Sequence, residues 1–187
     1  SLNENIVIIF GIMSNEKCPM RNVQSKIDLG LALACSKMNS PVGQLKLVAH
    51  DHALVAVLWQ NEKLNRVILP DMIQDDTHPL LLRVKQQLQE YFQGQRKVFD
   101  LALDFYGTPF QQQVWQALLT IPYGQTRTYQ QIAVQIGNPK AVRAVGAANA
   151  RNPMSIIAPC HRVIGSKGGL VGFAGGLAHK KVLLNLE

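Results

Sequence analysis

At 187 residues, 47% of them hydrophobic and 17% charged, the chain reads as a soluble globular protein with room for one large domain or two small ones. Its three cysteines, Cys18, Cys35 and Cys160, are odd in number and irregularly spaced, which excludes a disulfide framework and points to a reducing compartment. The net charge of +7 is unevenly placed: residues 1–104 carry 11 Lys and Arg against 11 Asp and Glu, whereas residues 105–187 carry 8 against Glu187 alone. A one-sided positive field suits a polyanion, and nucleic acid is the commonest.

Residues 1–37 form an extension of unclear role. The apolar run Ile6–Phe10 is too short to span a bilayer, and Glu4 stands where a signal peptide would be basic. Leu31–Cys35 has a faint likeness to a lipoprotein cleavage site, but Asp28 interrupts the apolar stretch before it. Residues 38–104 are read as a small α/β domain with an antiparallel sheet. Gly43 to Ala49 and Ala53 to Trp59 alternate at period two and are joined by the turn His50-Asp51-His52. Leu81, Val84, Leu88 and Tyr91 then follow helical spacing, with Pro79 at the start and Gly94 past the end. Lys97 to Leu103 is expected to be another strand. His50 and His52, with Cys18 and Cys35, match no compact ligand spacing, so no metal is expected. Nothing in this domain signals chemistry.

Residues 105–187 are read as a mainly helical second domain, making the whole chain α+β. Thr108-Pro109 caps and opens a helix that stops at Pro122 and Gly124. Thr128 with Gln131 forms a capping box for a helix from Tyr129 to Ile136. Gly137 ends it, and Asn138 and Pro139 are expected to cap and begin the next, running to about residue 148. Two short helices about a glycine turn are a helix-turn-helix pattern. On the second helix Lys140, Arg143 and Ala147 share a face, and Gly146 and Ala147 are small enough to let a partner approach closely. This is read as the DNA-contacting helix, with Thr128 beside it. Leu177 to Leu186 reads as a closing helix.

The chemistry centres on Pro159-Cys160-His161-Arg162-Val163. Cysteine reacts as thiolate, and its reference pKa leaves only a few per cent ionised at neutral pH. An imidazole that takes the proton, held by a carboxylate, removes that limit. A Cys-His pair alone is more often the mark of a buried structural cysteine beside a surface histidine. Its surroundings include Tyr129, Pro139-Lys140-Ala141-Val142-Arg143-Ala144-Val145-Gly146 and Asn152-Pro153 upstream, then Gly175-Gly176, Lys180-Lys181-Val182-Leu183-Leu184 and Glu187 downstream.

From about Gly107 to Glu187 this series runs without a gap and closely resembles the O6-alkylguanine-DNA alkyltransferases, or methylated-DNA–protein-cysteine methyltransferases. The resemblance implies irreversible transfer of an alkyl group from O6-alkylguanine in double-stranded DNA, and from O4-alkylthymine, to the Cys160 thiolate after base flipping. It implies that His161 takes the thiol proton through a bridging water, that Glu187 orients the imidazole and that Asn152 holds the turn. Tyr129 would be the donor to the leaving guanine. The backbone at Cys160, Val163 and Ala174 would read the base, and Arg143 would fill the space it leaves. It further implies a monomer without cofactor, membrane or obligatory protein partner, acting in the cytoplasm on DNA. Ala174 and Phe173 stand where some relatives have serine and tyrosine, which leaves the preferred alkyl size open. Two other classes remain: a DNA-binding regulator, which gives PCHRV no role, and a cysteine hydrolase of another fold, which has no need of Arg143 or the basic half.

Overall fold

The computed structural model describes residues 32–187. The Ile6–Phe10 run, Asp28 and Cys18 lie outside the described residues.

The first half is a four-stranded sheet, β1 (Leu33–Ser40), β2 (Gly43–Ala49), β3 (Leu54–Trp59) and β4 (Met72–Gln74), in the order β3-β2-β1-β4. The expected strands β2 and β3 are present, and β1 begins at Leu33, so residues 33–37 belong to the sheet rather than to an extension. β1 and β2 turn about Gly43, whose φ of 88° a side chain would resist, and they pair antiparallel from Ser40↔Gly43 to Ala34↔Ala49. The sheet is antiparallel through β1, β2 and β3, but β4 joins β1 in parallel.

Leu45, Leu47 and Ala49 of β2 point to one face, as period two requires. There they pack with Leu81, Val84, Leu88 and Tyr91 of α1 (Pro79–Phe92) in one core. Each such leucine, at most 1% exposed, contributes about 1.5–3 kcal/mol by leaving water. All six residues of β3 are buried, although β3 is an edge strand. The second half covers it: the Val57 amide donates to the Pro153 carbonyl at 2.9 Å, and the Ser155 amide to the Val57 carbonyl at 3.3 Å.

Residues 97–103 are not the expected strand. Only Leu103 makes a bridge, to Leu54. The Gln87 side chain on α1 occupies both backbone groups of Asp100, donating to its carbonyl at 3.0 Å and accepting from its amide at 2.9 Å. A segment whose polar groups are met by a helix side chain has no need of a strand partner. His50 lies within 3.3 Å of Asp104 and accepts from the His52 amide at 3.2 Å, so the histidine turn is tied internally.

The second half contains α2 (Pro109–Leu119), α3 (Tyr129–Gln135), α4 (Val142–Ala150) and α5 (Leu177–Leu186). A two-residue parallel pair, β5 (Arg127–Thr128) with β6 (Val163–Ile164), joins the start of α3 to the segment after Cys160. Both expected caps form: Thr108 with Gln111 and Thr128 with Gln131 make complete capping boxes. Buried Trp115 on α2 donates its indole N–H to the Ala148 carbonyl at 2.8 Å, locking α4 in place.

The second helix of the pair starts later than expected, at Val142 rather than residue 139. The Ala141 amide closes a turn onto the Asn138 carbonyl at 3.0 Å, and the Gln130 side chain takes the Pro139 carbonyl at 3.0 Å. With those carbonyls engaged, the first helical bond available is Val145 amide to Ala141 carbonyl, at 2.8 Å. Lys140 therefore sits on the turn that leads into α4, not on its face. No helix among the described residues is long and apolar enough to cross a membrane.

Candidate active site

Cys160 opens a single 3-10 turn, Cys160–Arg162, entered from Pro159. The segment below it, residues 152–163, is buried throughout yet has almost no regular structure, so its backbone groups need explicit partners. Asn152 supplies them. Its amide nitrogen donates to the Ala158 carbonyl at 2.8 Å and the Met154 carbonyl at 3.4 Å, and its side-chain oxygen accepts from the Met154 amide at 3.0 Å. Within this cradle Ile156 is held at φ 74°, where a β-branched residue costs of order 1–3 kcal/mol. The surrounding bonds, including Ala158 amide to Met154 carbonyl at 2.9 Å, hold that strain.

The Cys160 thiol is 2% exposed. Burial pushes its pKa up, and the Asn152 side chain with the charges of Arg66 and Lys180 only partly offsets that. The resting sulfur is therefore a protonated thiol, and attack on an electrophile requires a proton acceptor. His161, fully buried, is next in the chain. Its Nε2 lies 2.8 Å from Glu187 Oε1. Burial pushes the imidazole's pKa down despite that carboxylate, so the ring is neutral. Since the carboxylate can only accept, Nε2 carries the proton and Nδ1 is the basic nitrogen. Nδ1 is buried with no hydrogen-bond partner among the described residues, so it is the ring's acceptor nitrogen.

Glu187 is the hub of this network. Burial alone would raise its pKa, but hydrogen bonds from His161 and Arg162 outweigh that and hold the carboxyl well below the usual carboxylate range. Arg162 donates through Nε to Oε2 at 2.8 Å and through Nη2 to Oε1 at 2.9 Å, a bidentate pair, and through Nη1 to the Ile121 carbonyl at 2.6 Å. Tyr91 donates to Oε1 at 2.6 Å. Arg162 and Tyr91 were not singled out from the sequence. A charged residue amid the buried PCHRV motif was a readable sign for the first; for Tyr91, helical spacing showed only a core position.

Lys180 is the other residue sequence reasoning passed over. Its ammonium is 0% exposed and donates to the Val163 carbonyl at 2.6 Å and the Val171 carbonyl at 3.1 Å. Burial lowers its pKa, and Cys160, once ionised, works against that shift. It places a cation near the sulfur and ties residue 163 to the loop of residues 165–176. The backbone carbonyl of Cys160 accepts from the Val163 amide and that of Val163 from Lys180, and a carbonyl oxygen carries two lone pairs.

Tyr129, at the first turn of α3, lies against this loop, with its hydroxyl 3.4 Å from the Val171 carbonyl. Burial pushes its pKa up, and Cys160, once ionised, adds to that shift, so it remains a donor. Gly146 of α4 faces the Tyr129 ring: a Cβ there would sit 3.9 Å from it. Ala174 is partly buried against the core. The Thr128 hydroxyl is used within the protein, accepting from the Gln131 amide at 3.2 Å. Arg143, Lys140 and Ala147 are exposed on the outer side of the helix pair. The structure thus gathers Cys160, His161, Glu187, Asn152 and Val163 into one buried network with Tyr129 at its rim; Thr128, Gly146 and Ala174 are partly buried, and Lys140, Arg143 and Ala147 lie on the surface.

A thiol, a neutral imidazole, a carboxylate that orients it and a phenol at the rim are the groups a cysteine-based transfer would call on. Residues 33–105 match the family described as 6-O-methylguanine DNA methyltransferase, ribonuclease-like domain, and residues 109–187 match the DNA binding domain of the same family. The methylated-DNA–protein-cysteine methyltransferase of Mycobacterium leprae is 49% identical over 156 residues, covering 82% of this chain and 91% of its own. The constitutive enzyme of that name from Bacillus subtilis is 48% identical over 152 residues, 79% of this chain and 91% of its own. Among solved structures, Mycobacterium tuberculosis OGT in complex with DNA superimposes with a TM-score of 0.75 at 44% identity, covering 83% of this chain and 92% of that one. With both halves matched in order, the chain belongs to the methylated-DNA–protein-cysteine methyltransferases.

Proposed function

We propose that this protein reverses alkylation damage in double-stranded DNA by moving the alkyl group of O6-alkylguanine, and of O4-alkylthymine, onto Cys160. The observation that carries the reading is the Cys160-His161-Glu187 network, in which a buried thiol stands next to a neutral imidazole whose Nε2 is held 2.8 Å from Glu187. The reacting carbon is out of reach inside the base stack, so the damaged nucleotide is rotated out first.

The thiol proton passes to His161 Nδ1 through a bridging water, and Glu187 stabilises the imidazolium as it forms. The sulfur electron pair then forms the S–C bond while the C–O6 bond breaks, sending its electrons to the guanine. Neutral guanine leaves poorly unless a donor meets that charge. Tyr129 supplies it, exchanging its 3.4 Å contact with the Val171 carbonyl for the base. The Cys160 and Val163 carbonyls and the amide at Ala174 meet the base edge. Arg143 enters the vacated stack, while Lys140, Gly146, Ala147 and Thr128 belong to the surface that meets the duplex. The protein acts as a cytoplasmic monomer without cofactor, residues 38–104 bracing a DNA-binding and alkyl-accepting domain over residues 105–187.

Weighing the intact protein after incubation with a duplex containing O6-methylguanine tests this. Gain of one methyl on Cys160 is the expected result. DNA binding with unchanged protein mass would identify a regulator instead, and repaired DNA with unchanged protein mass a hydrolase.

A further inference from the structure

We propose that Trp59, a residue of the N-terminal sheet, is a positioning residue for the substrate wall: it fixes the loop of residues 165–176 and thereby sets which alkyl groups the site accepts. The inference rests on the reading of function above, and its test separates the two.

Trp59 ends β3 and is 5% exposed, yet the aromatic rings against it come from the other half of the molecule. Phe173 meets the indole edge to face, with centroids 5.5 Å apart and planes at 69°. His179, at the start of α5, stacks on it at 5.6 Å and 16°. The backbone of Gly175 also lies against the indole: a Cβ there would fall 2.6–2.8 Å from three ring carbons, closer than any side chain tolerates. These three positions bracket Ala174, and Lys180, which holds the Val163 and Val171 carbonyls, follows His179 directly. The loop's own hydrogen bonds close only short turns, Gly165 with Gly169 and Phe173 with Gly176. The register of residues 173–176 is therefore set by the indole surface.

The same strand end also reaches the other side of the site. The Trp59 amide donates to Glu62 Oε2 at 3.1 Å, Glu62 pairs with Arg66, and Arg66 Nη1 donates to the Asn152 carbonyl at 2.7 Å. One corner of the N-terminal sheet thus holds both the wall, through Trp59, and the cradle, through Arg66. An indole has only two side-chain torsions, so it is a rigid template at small conformational cost. Without it, Gly175 can sink toward the sheet and the pocket widens on the Ala174 side. A methyl group then loses the backbone that aligned it, whereas a benzyl group can occupy the new space.

The test compares wild type, Trp59→Ala, Trp59→Phe and Leu58→Ala, the last a truncation on the opposite face of the same strand. Alkyl transfer is measured from duplexes carrying O6-methylguanine or O6-benzylguanine, and amide hydrogen exchange is followed over residues 171–176. Because displacement of reacting atoms by 1 Å costs up to about a hundredfold, Trp59→Ala should slow methyl transfer by about tenfold or more. Benzyl transfer should fall by less than about threefold, a ratio that stability loss alone does not move. Trp59→Phe should restore most of the wild-type ratio. Loop exchange should quicken in Trp59→Ala and stay unchanged in Leu58→Ala. An unchanged ratio with unchanged loop exchange in Trp59→Ala overturns the proposal, as does a Leu58→Ala shift of the same size. If the wild-type protein leaves both duplexes unrepaired, the substrate reading fails, and loop exchange alone decides whether Trp59 holds the wall.

Discussion

The cradle beneath Cys160 and the wall above it are both irregular chain, and they are built in opposite ways. Residues 152–163 are buried, with Asn152 and Arg66 bonding their backbone and Arg162 tying the segment to the Ile121 carbonyl. Residues 165–176 are largely exposed, glycine-rich and held at a few points: Lys180 and Tyr129 at Val171, and Trp59 under Gly175. Under the proposed function the contrast has a reason. Proton transfer and in-line attack would demand fixed positions, which packed, hydrogen-bonded structure around the sulfur supplies. A flat base of variable alkylation would have to enter and lie against backbone, which exposed glycines allow.

The strongest test of the cradle is Cys160→Ser, which should abolish transfer completely while leaving the fold intact. In the wild type, a thioether has no leaving group in water, so excess alkylated duplex should yield one transferred group per chain; product in excess of protein, measured after quenching, would contradict this.

Next come the relay residues. His161→Phe and Glu187→Gln should each slow transfer by roughly two to four tenfold steps, leave duplex affinity unchanged and shift the rate–pH profile upward. Glu187→Gln should also destabilise the fold by about 3–5 kcal/mol, because it leaves the Arg162 guanidinium buried without its carboxylate. The pH dependence has a definite sign. Both Glu187 and His161 have pKa values below their ordinary 4.5 and 6.5. Each therefore binds protons more readily in the unfolded chain, and each contributes stability above its unfolded pKa that is lost as pH falls. Thermal unfolding of the wild type should weaken from about pH 6.5 downward and more steeply below about 4.5; Glu187→Gln should lack the second loss. A Glu187→Gln protein with wild-type rate and profile would reduce the carboxylate to a structural anchor.

Smaller in expected effect is Arg143→Ala, outside both cradle and wall. Unstacking a base costs a few kcal/mol, so the variant should slow reaction with duplex by roughly ten- to a hundredfold and leave free O6-benzylguanine untouched. Equal slowing of both would place Arg143 in the pocket; a uniform loss of affinity with a salt dependence lower by about one charge would make it a phosphate contact. The mildest change is Thr128→Ala. Loss of the cap on the helix that carries Tyr129 should cost about 1 kcal/mol, or a fall in Tm of about 2–4 °C, measured calorimetrically.

How legible these parts were depended on how local they are. The caps at Thr108 and Thr128, the strands β2 and β3 and helix α1 follow from short-range pattern and were read correctly. The start of α4 was misplaced because Gln130, nine residues before Pro139, captures the carbonyl that would have begun the helix. The strand expected at 97–103 failed for a similar reason, since Gln87 satisfies Asp100 from thirteen residues away. The N-terminal half was read as free of chemistry, yet Tyr91 bonds Glu187 across 96 residues of chain.

By itself the sequence determined the thiol and imidazole side by side in PCHRV, the basic half and the family, because these reside in residue identity and in spacing along one continuous segment. Only the tertiary structure decided that the resting thiol is protonated, that His161 presents Nδ1, that Arg162 and Tyr91 share Glu187, and that Trp59 lies under the loop of residues 165–176. Those properties depend on burial and on contacts between segments far apart in the chain. Neither composition nor periodicity encodes which distant side chain will occupy a given lone pair or ring face.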